Sequence, residues 1–303
     1  MDNLEERYLL VTADDFGIGP ATTRGILELA SRGIVTASVL LVNSPYAEES
    51  VAAWHEAQMP MELGWHPCLT LDRPILPPQQ VPSLVDADGK FLPLGKMMRR
   101  LLFGGVQTSE VEAEFRAQHQ RFQELTGQEP TVVNCHHHLQ VFSLVGSALR
   151  AVLEQQNTKP YLRCIREPWR KIWSIHGARP KRAFLNWLGR RQARCQIDSG
   201  FPGNDWLLGI TDPLHVSDPE FFTNWLRSCP GKLVELTCHP GQMDLTLSGR
   251  DGSLEDGQLA RRARELELLN HPGFQGVVRA AGFTLVSPAQ VIEFWESPAP
   301  VAV

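Results

Sequence analysis

The sequence predicts an α/β fold, a single (β/α) barrel-like domain over residues 1–303 with about seven or eight mainly parallel strands. Three observations carry that reading. Short apolar runs alternate with stretches of helical period along the whole chain, with no linker between them. No G-x-G-x-x-G follows the first run, which argues against an open dinucleotide-binding sheet. Acids and histidines stand at the carboxyl ends of several runs, where barrel enzymes keep their chemistry.

The first run, Leu9-Leu10-Val11-Thr12-Ala13, ends abruptly in Asp14-Asp15-Phe16-Gly17 and reads as a buried strand. A helical stretch over 21–30 stops at Arg32-Gly33. Residues 36–42 read as a second strand, 48–57 as a helix, and 61–65 as a third strand that delivers His66. Residues 71–93 hold Pro74, Pro77, Pro78, Pro82 and Pro93 and no sustained period. They open an inserted excursion reaching about residue 103, either a rim over a site or a plain surface loop. The strongest helix is 109–126, with Ser109 as its cap and Gly127 past its end. Strands follow at 131–135 and 161–165, separated by a helix over 144–156. Between 167 and 203 the signal is poor apart from a basic helix near 181–194, which reads as a solvated face. Ser217-Asp218-Pro219-Glu220 has the form of a capping box opening a helix to 227. A strand at 232–237 then delivers Cys238-His239-Pro240-Gly241. Helices over 261–269 and 274–281, a short strand at 284–287 and a helix at 288–295 complete the series.

With 43% hydrophobic and 21% charged residues the composition is that of an ordinary globular protein. A formal charge of -5 over this length offers no electrostatic case for nucleic acid or an anionic membrane as partner. The six cysteines form no C-x-x-C pair, the acidic N-terminus lacks the regions of a signal peptide, and no apolar stretch approaches a bilayer span. Together these favour a reducing cytoplasm.

Three strand ends supply a candidate metal site: Asp15 or Asp14, His66, and His136 or His138. A carboxylate with two imidazoles leaves positions open for water, as catalytic metal sites do. In an extended segment His136 and His138 share a face with Asn134 and Gln140, while His137 points away. Each element has a bland alternative: the acidic pair capping the next helix, His66 bonded within its loop, His239 set in a Pro-Gly turn. Three consecutive histidines are harder to dismiss. A zinc-thiolate site at Cys68 and Cys135 lacks thiolate-pair spacing. His239 suits a general acid with a pKa near the working pH. Strand alternation turns Asp14 and Asp15 to opposite sides, so both serve one site only if the chain bends, and Gly17 offers the bend.

The segments T-A-D-D-F-G (12–17), G-W-H-P-C-L-T (64–70), N-C-H-H-H-L-Q (134–140) and E-L-T-C-H-P-G (235–241) resemble, in order, the motifs of the YdjC-like carbohydrate deacetylases. That family includes chitooligosaccharide deacetylases and hopanoid-biosynthesis deacetylases, and the tract after Trp65 leans towards the latter. The resemblance covers nearly the whole chain. It implies hydrolysis of an N-acetyl amide on an amino sugar, free or in a glycolipid. It implies a divalent metal, magnesium or zinc, held by Asp15, His66 and His136. Asp14 is then the general base, His239 the proton donor to the departing amine, and His138, Arg163 and Asn134 contact substrate or support the ligands. The family usually reads D-x-H-x-H-x-H, whereas this chain has Asn134 first and Gln140 last. The alternatives are a non-catalytic sugar or glycolipid binder on the same fold, and a metal-dependent hydrolase of another bond. No nucleic acid and no membrane span are expected, and a homodimer is.

Overall fold

The computed structural model describes residues 6–250 and 257–296, so the acidic residues 1–5 of the N-terminal reading lie outside it. The strands are β1 (Arg7–Phe16), β2 (Ala37–Leu40), β3 (Glu62–Trp65), β4 (Val132–Val133), β5 (Tyr161–Leu162), β6 (Trp206–Leu208), β7 (Leu233–Cys238) and β8 (Phe283–Leu285). Their order is β5-β4-β3-β2-β1-β7-β6, with every pairing parallel. The two outer strands approach each other, since Leu162 N donates to Pro202 O and Leu207 N to Arg166 O, each at 2.8 Å. Strands β1 to β7 therefore run in sequence order around a barrel-like sheet. β8 bonds to the start of β1, on the edge that β2 takes further along.

Between the strands lie α1 (Pro20–Ser31), α2 (Ala47–Glu56), α3 (Leu94–Phe103), α4 (Thr108–Thr126), α5 (Ser143–Leu153), α6 (Trp169–Ser174), α7 (Arg179–Asp198), α8 (Phe221–Leu226), α9 (Gln258–Asn270), α10 (Phe274–Ala280) and α11 (Pro288–Glu296). One face of the barrel-like sheet packs on its own interior and the other lies under the helices, which explains why β1 is apolar without alternation: Leu9, Leu10 and Val11 are all fully buried.

The predicted architecture holds, and the departures have local causes. β4 and β5 are two residues each rather than five, because the chain leaves the sheet after Val133 and Leu162 to present the site residues that follow. β6 escaped notice because three residues cannot display a period. The capping box does not form; α8 starts only at Phe221, and Asp218 accepts from Glu220 N at 2.9 Å ahead of it. Ser109 is not a cap either, since α4 begins at Thr108, but Gly127 ends it with φ 71° as expected. The excursion is ordered rather than ornamental. Val81, Leu84, Phe91, Leu92 and Met97 are buried within it. Glu114 of α4 accepts from Ile75 N and Leu76 N at 2.9 and 3.1 Å, and Glu110 from Ser83 N at 2.7 Å.

One glycine binds the fold to the site. A Cβ on Gly64 of β3 would stand 1.9 Å from Val132 O of β4, closer than any side chain permits. Trp65 pairs with Val133 just beyond, and the chain then runs on to His66 on one strand and Asn134 on the other. Gly64→Ala should force β3 and β4 apart and destabilise the fold by about 1–3 kcal/mol. Thermal unfolding checks this; an unchanged melting temperature would show that the two strands do not need to meet here.

Candidate active site

The acidic pair sits in a break in the register of β1. Ala13 pairs with Ser38 and Phe16 with Leu40, so Asp14 and Asp15 together face the single residue Val39. Such a bulge re-aims a side chain that strand alternation would send away. Asp15 itself supplies the turn with φ 66°, a region that Asp tolerates better than most residues, and Gly17 follows at φ 80°. Both carboxylates thereby reach one pocket of about 200 Å³, and both are buried. The bend was expected at Gly17; its main part lies two residues earlier.

Asp15, His66 and His136 converge. The distances are 3.0 Å from Asp15 Oδ1 to His136 Nδ1, 3.3 Å from Oδ1 to His66 Nε2, and 3.3 Å between the two nitrogens. Metal–ligand bonds of about 2.0–2.2 Å place neighbouring donors about 3.0–3.5 Å apart, so this triangle fits a divalent ion. His66 Nδ1 lies 2.6 Å from Asn134 O, so the proton resides on Nδ1 and Nε2 is left as the donor atom. The orienting group is thus the main-chain carbonyl of Asn134, which any residue supplies. The Asn134 side chain instead reaches Asp14 Oδ1 at 3.4 Å. Gln140 is remote from this chemistry; its Oε1 accepts from Cys135 N at 3.3 Å.

Alternation does not govern the three histidines. The strand has ended, and residues His136–Val141 form a 3₁₀ turn with φ 55° at His137 and 59° at His138. All three line the pocket as a result. His137 lies 2.8 Å from Thr70 Oγ1, and His138 is buried, which pushes its pKa well below the usual value.

Asp14 has a separate counter-charge. Arg163, which follows β5 and is fully buried, donates to Oδ2 at 2.6 Å and to Oδ1 at 2.8 Å. Its Nε donates to Glu235 of β7 at 2.8 Å, whose other oxygen accepts from Tyr161 at 2.8 Å. Thr237 adds a bond to Asp14 Oδ2 at 3.0 Å. Burial alone would raise the Asp14 pKa, but the Arg163 fork overrides it and holds the carboxyl well below its ordinary range. Burial and Arg262 oppose each other in the same way at Asp15, with Arg262 bonded to Oδ2 at 2.6 Å and the pKa again well down. Arg163 is fully buried behind Asp14 and does not line the pocket.

His239 completes the pocket with its Nε2 at 3.9 Å from Asp14 Oδ2. Its Nδ1 receives a hydrogen bond from Arg261 at 3.1 Å, so the proton is on Nε2. Burial, then the Arg261 charge, lower its pKa to about 4 against the pull of the nearby carboxylates. This revises the expectation of a pKa near the working pH: at neutral pH the ring is an uncharged donor. Glu265 holds the arrangement, bonding Arg261 Nε at 2.7 Å and His239 N at 2.5 Å. Arg261, Arg262 and Glu265 all lie on α9 and are buried. They were missed because Arg-Arg-x-x-Glu on a charged helix reads like any surface helix; only docking on the barrel mouth turns it inward.

Asp14, Asp15 and Glu265 all have lowered pKa values in the folded protein. Below about pH 5 the unfolded chain begins to bind protons, near the ordinary carboxylate values, while the folded one does not. Stability present above that range should fall with falling pH. The urea midpoint should drop between pH 7 and pH 3.5, and a flat profile would contradict these ion pairs.

Comparison with known proteins agrees with the motifs. Residues 8–280 match the family profile described as YdjC-like protein. A carbohydrate deacetylase of Enterococcus faecalis is 27% identical, covering 94% of this chain and 98% of its own. Another, from Geobacillus stearothermophilus, is 28% identical over 93% and 96%. The chitooligosaccharide deacetylase of Yersinia pestis is 28% identical over 93% and 98%. A crystal structure from Enterococcus faecalis V583, provisionally described as a cellobiose-phosphate cleavage protein, superposes with a TM-score of 0.71 at 24% identity, covering 94% of this chain and 99% of that one. With the profile running from β1 to α10 and the site residues in their expected order, this chain belongs to the YdjC-like protein family.

Proposed function

We propose that this chain is a metal-dependent hydrolase that removes an N-acetyl group from an amino sugar, in an oligosaccharide or a glycolipid. The observation that carries the reading is the Asp15–His66–His136 triangle with the separate buried carboxylate of Asp14 beside it. The full-length relatives named as carbohydrate and chitooligosaccharide deacetylases support the reaction class. A divalent ion held by the three donors, magnesium or zinc, supplies Lewis acidity, polarising an amide carbonyl and making water nucleophilic near neutral pH.

Asp14 takes a proton from the attacking water as the new carbon–oxygen bond forms. The proton passes to nitrogen as the carbon–nitrogen bond breaks, and acetate and a free amine leave. The Arg163 fork fixes the Asp14 carboxylate so that neither oxygen must reorient during the exchange. His239 steadies the leaving group through its Nε2–H bond, as an uncharged imidazole rather than an imidazolium acid. Leu94 and Ile210 give the pocket an apolar side that suits an acetyl methyl, while His137, His138 and Lys181 face sugar hydroxyls. The six cysteines stand as free thiols, in keeping with a cytoplasmic setting. Among the described residues no helix is long and apolar enough to cross a membrane.

The decisive assay measures acetate release from N-acetylated sugars and glycolipids with each divalent metal added back. Asp14→Asn should keep near-stoichiometric metal and lose activity by about 100- to 10,000-fold. Full activity in that variant would remove the base, and absence of bound metal in the native enzyme would remove the reaction class. His239→Gln retains an N–H donor and should lower kcat without changing the shape of the pH profile. Loss of an alkaline limb in the variant would show that the ring works as an imidazolium after all.

A further inference from the structure

On one flank of the barrel, three tryptophans stand in solvent. Trp169 is 45% exposed, Trp173 66% and Trp187 68%. Trp169 and Trp173 lie one turn apart on α6, and on α7 the exposed residues Trp187, Arg190, Arg191 and Arg194 recur at helical spacing. The Arg190 guanidinium sits 5.6 Å over the Trp169 ring and joins the two helices into one surface. From Pro168 to Ile197 the chain has no Asp or Glu, although its net charge is -5. Within that stretch Arg170, Arg190, Arg191 and Arg194 are exposed, whereas Arg182 is buried against Glu167.

Large aromatic surface left in water calls for a cover. A second copy of the chain is a poor one, because a two-fold contact would set an unbroken positive stretch against itself. Amphipathic rings interleaved with arginine suit the boundary between headgroups and acyl chains of an anionic bilayer. We propose that the α6–α7 face docks this protein on an anionic membrane surface, with Trp173 and Trp187 seated among the headgroups and Arg191 and Arg194 facing lipid phosphates. The same helix opens at the site: Lys181 lines the pocket six residues, about 9 Å of helix, before Trp187. This inference does not depend on the reaction proposed above.

The test uses the full chain with vesicles of phosphatidylcholine, with and without phosphatidylglycerol, read by co-sedimentation and tryptophan emission. Binding should require phosphatidylglycerol and shift the emission to the blue. It should weaken at least about tenfold in Trp173→Ala/Trp187→Ala and in Arg191→Glu/Arg194→Glu. It should disappear near 1 M salt, where the screening length falls to about 3 Å. Both double variants should melt at the native temperature, since neither touches the buried pairs. Failure to bind anionic vesicles, equal binding to neutral ones, or undiminished binding in both variants would overturn the proposal. So would binding to heparin without binding to vesicles, or a dimer in sedimentation equilibrium that either variant dissociates.

Discussion

Two carboxylates adjacent in sequence and both buried impose a demand that organises this molecule. A buried charge left without a partner costs several kcal/mol, so each of Asp14 and Asp15 needs a cation of its own. The bulge in β1 makes separate partners possible by aiming the two side chains at different neighbours within one pocket. Asp14 takes Arg163 from the end of β5, and Asp15 takes Arg262 from α9 together with the two imidazoles. The positions of β5 and α9 around β1 are thus tied to the chemistry as much as to apolar packing. The same division gives the two carboxylates distinct surroundings, because the Arg163 fork occupies Asp14 and leaves Asp15 Oδ1 to face the histidines.

The surroundings of His239 illustrate how one contact selects a protonation state. Arginine can only donate, so a guanidinium at Nδ1 forces the ring proton onto Nε2 and discourages a second proton. A carboxylate at that position would do the reverse. Glu265 stands one bond further back, on Arg261, where it restrains the guanidinium instead of charging the imidazole. Asp14 and His239 therefore face each other across 3.9 Å as a carboxylate held ionised and a ring held neutral.

Net charge and charge distribution carry different information in this chain. A total of -5 argues against an anionic surface as partner only if the charges are mixed, and here they are segregated. The acid-free stretch through α6 and α7 splits in space: Arg182 turns inward to Glu167, while Arg191 and Arg194 turn outward beside Trp187. A linear reading sees one basic helix; the fold makes of it a buried tie and an exposed face.

By itself the sequence determined the barrel-like α/β plan and picked out Asp15, His66 and His136, which the fold brings together. Apolar runs of strand length and the polar residues that end them are local features, and strand ends in a parallel barrel share one rim. What it left open was direction. Whether Asp14 and Asp15 face together depends on a bulge that exists only because β1 and β2 fall out of register between Ala13 and Phe16. Whether His138 shares a face with His136 depends on positive φ angles in a 3₁₀ turn, not on strand alternation. The roles of Arg163, Arg261, Arg262 and Glu265 came entirely from tertiary structure. Arginines and glutamates on helices are solvated unless something buries them, and what buries these is the packing of α9 and the strand ends over two carboxylates more than a hundred residues away in the chain.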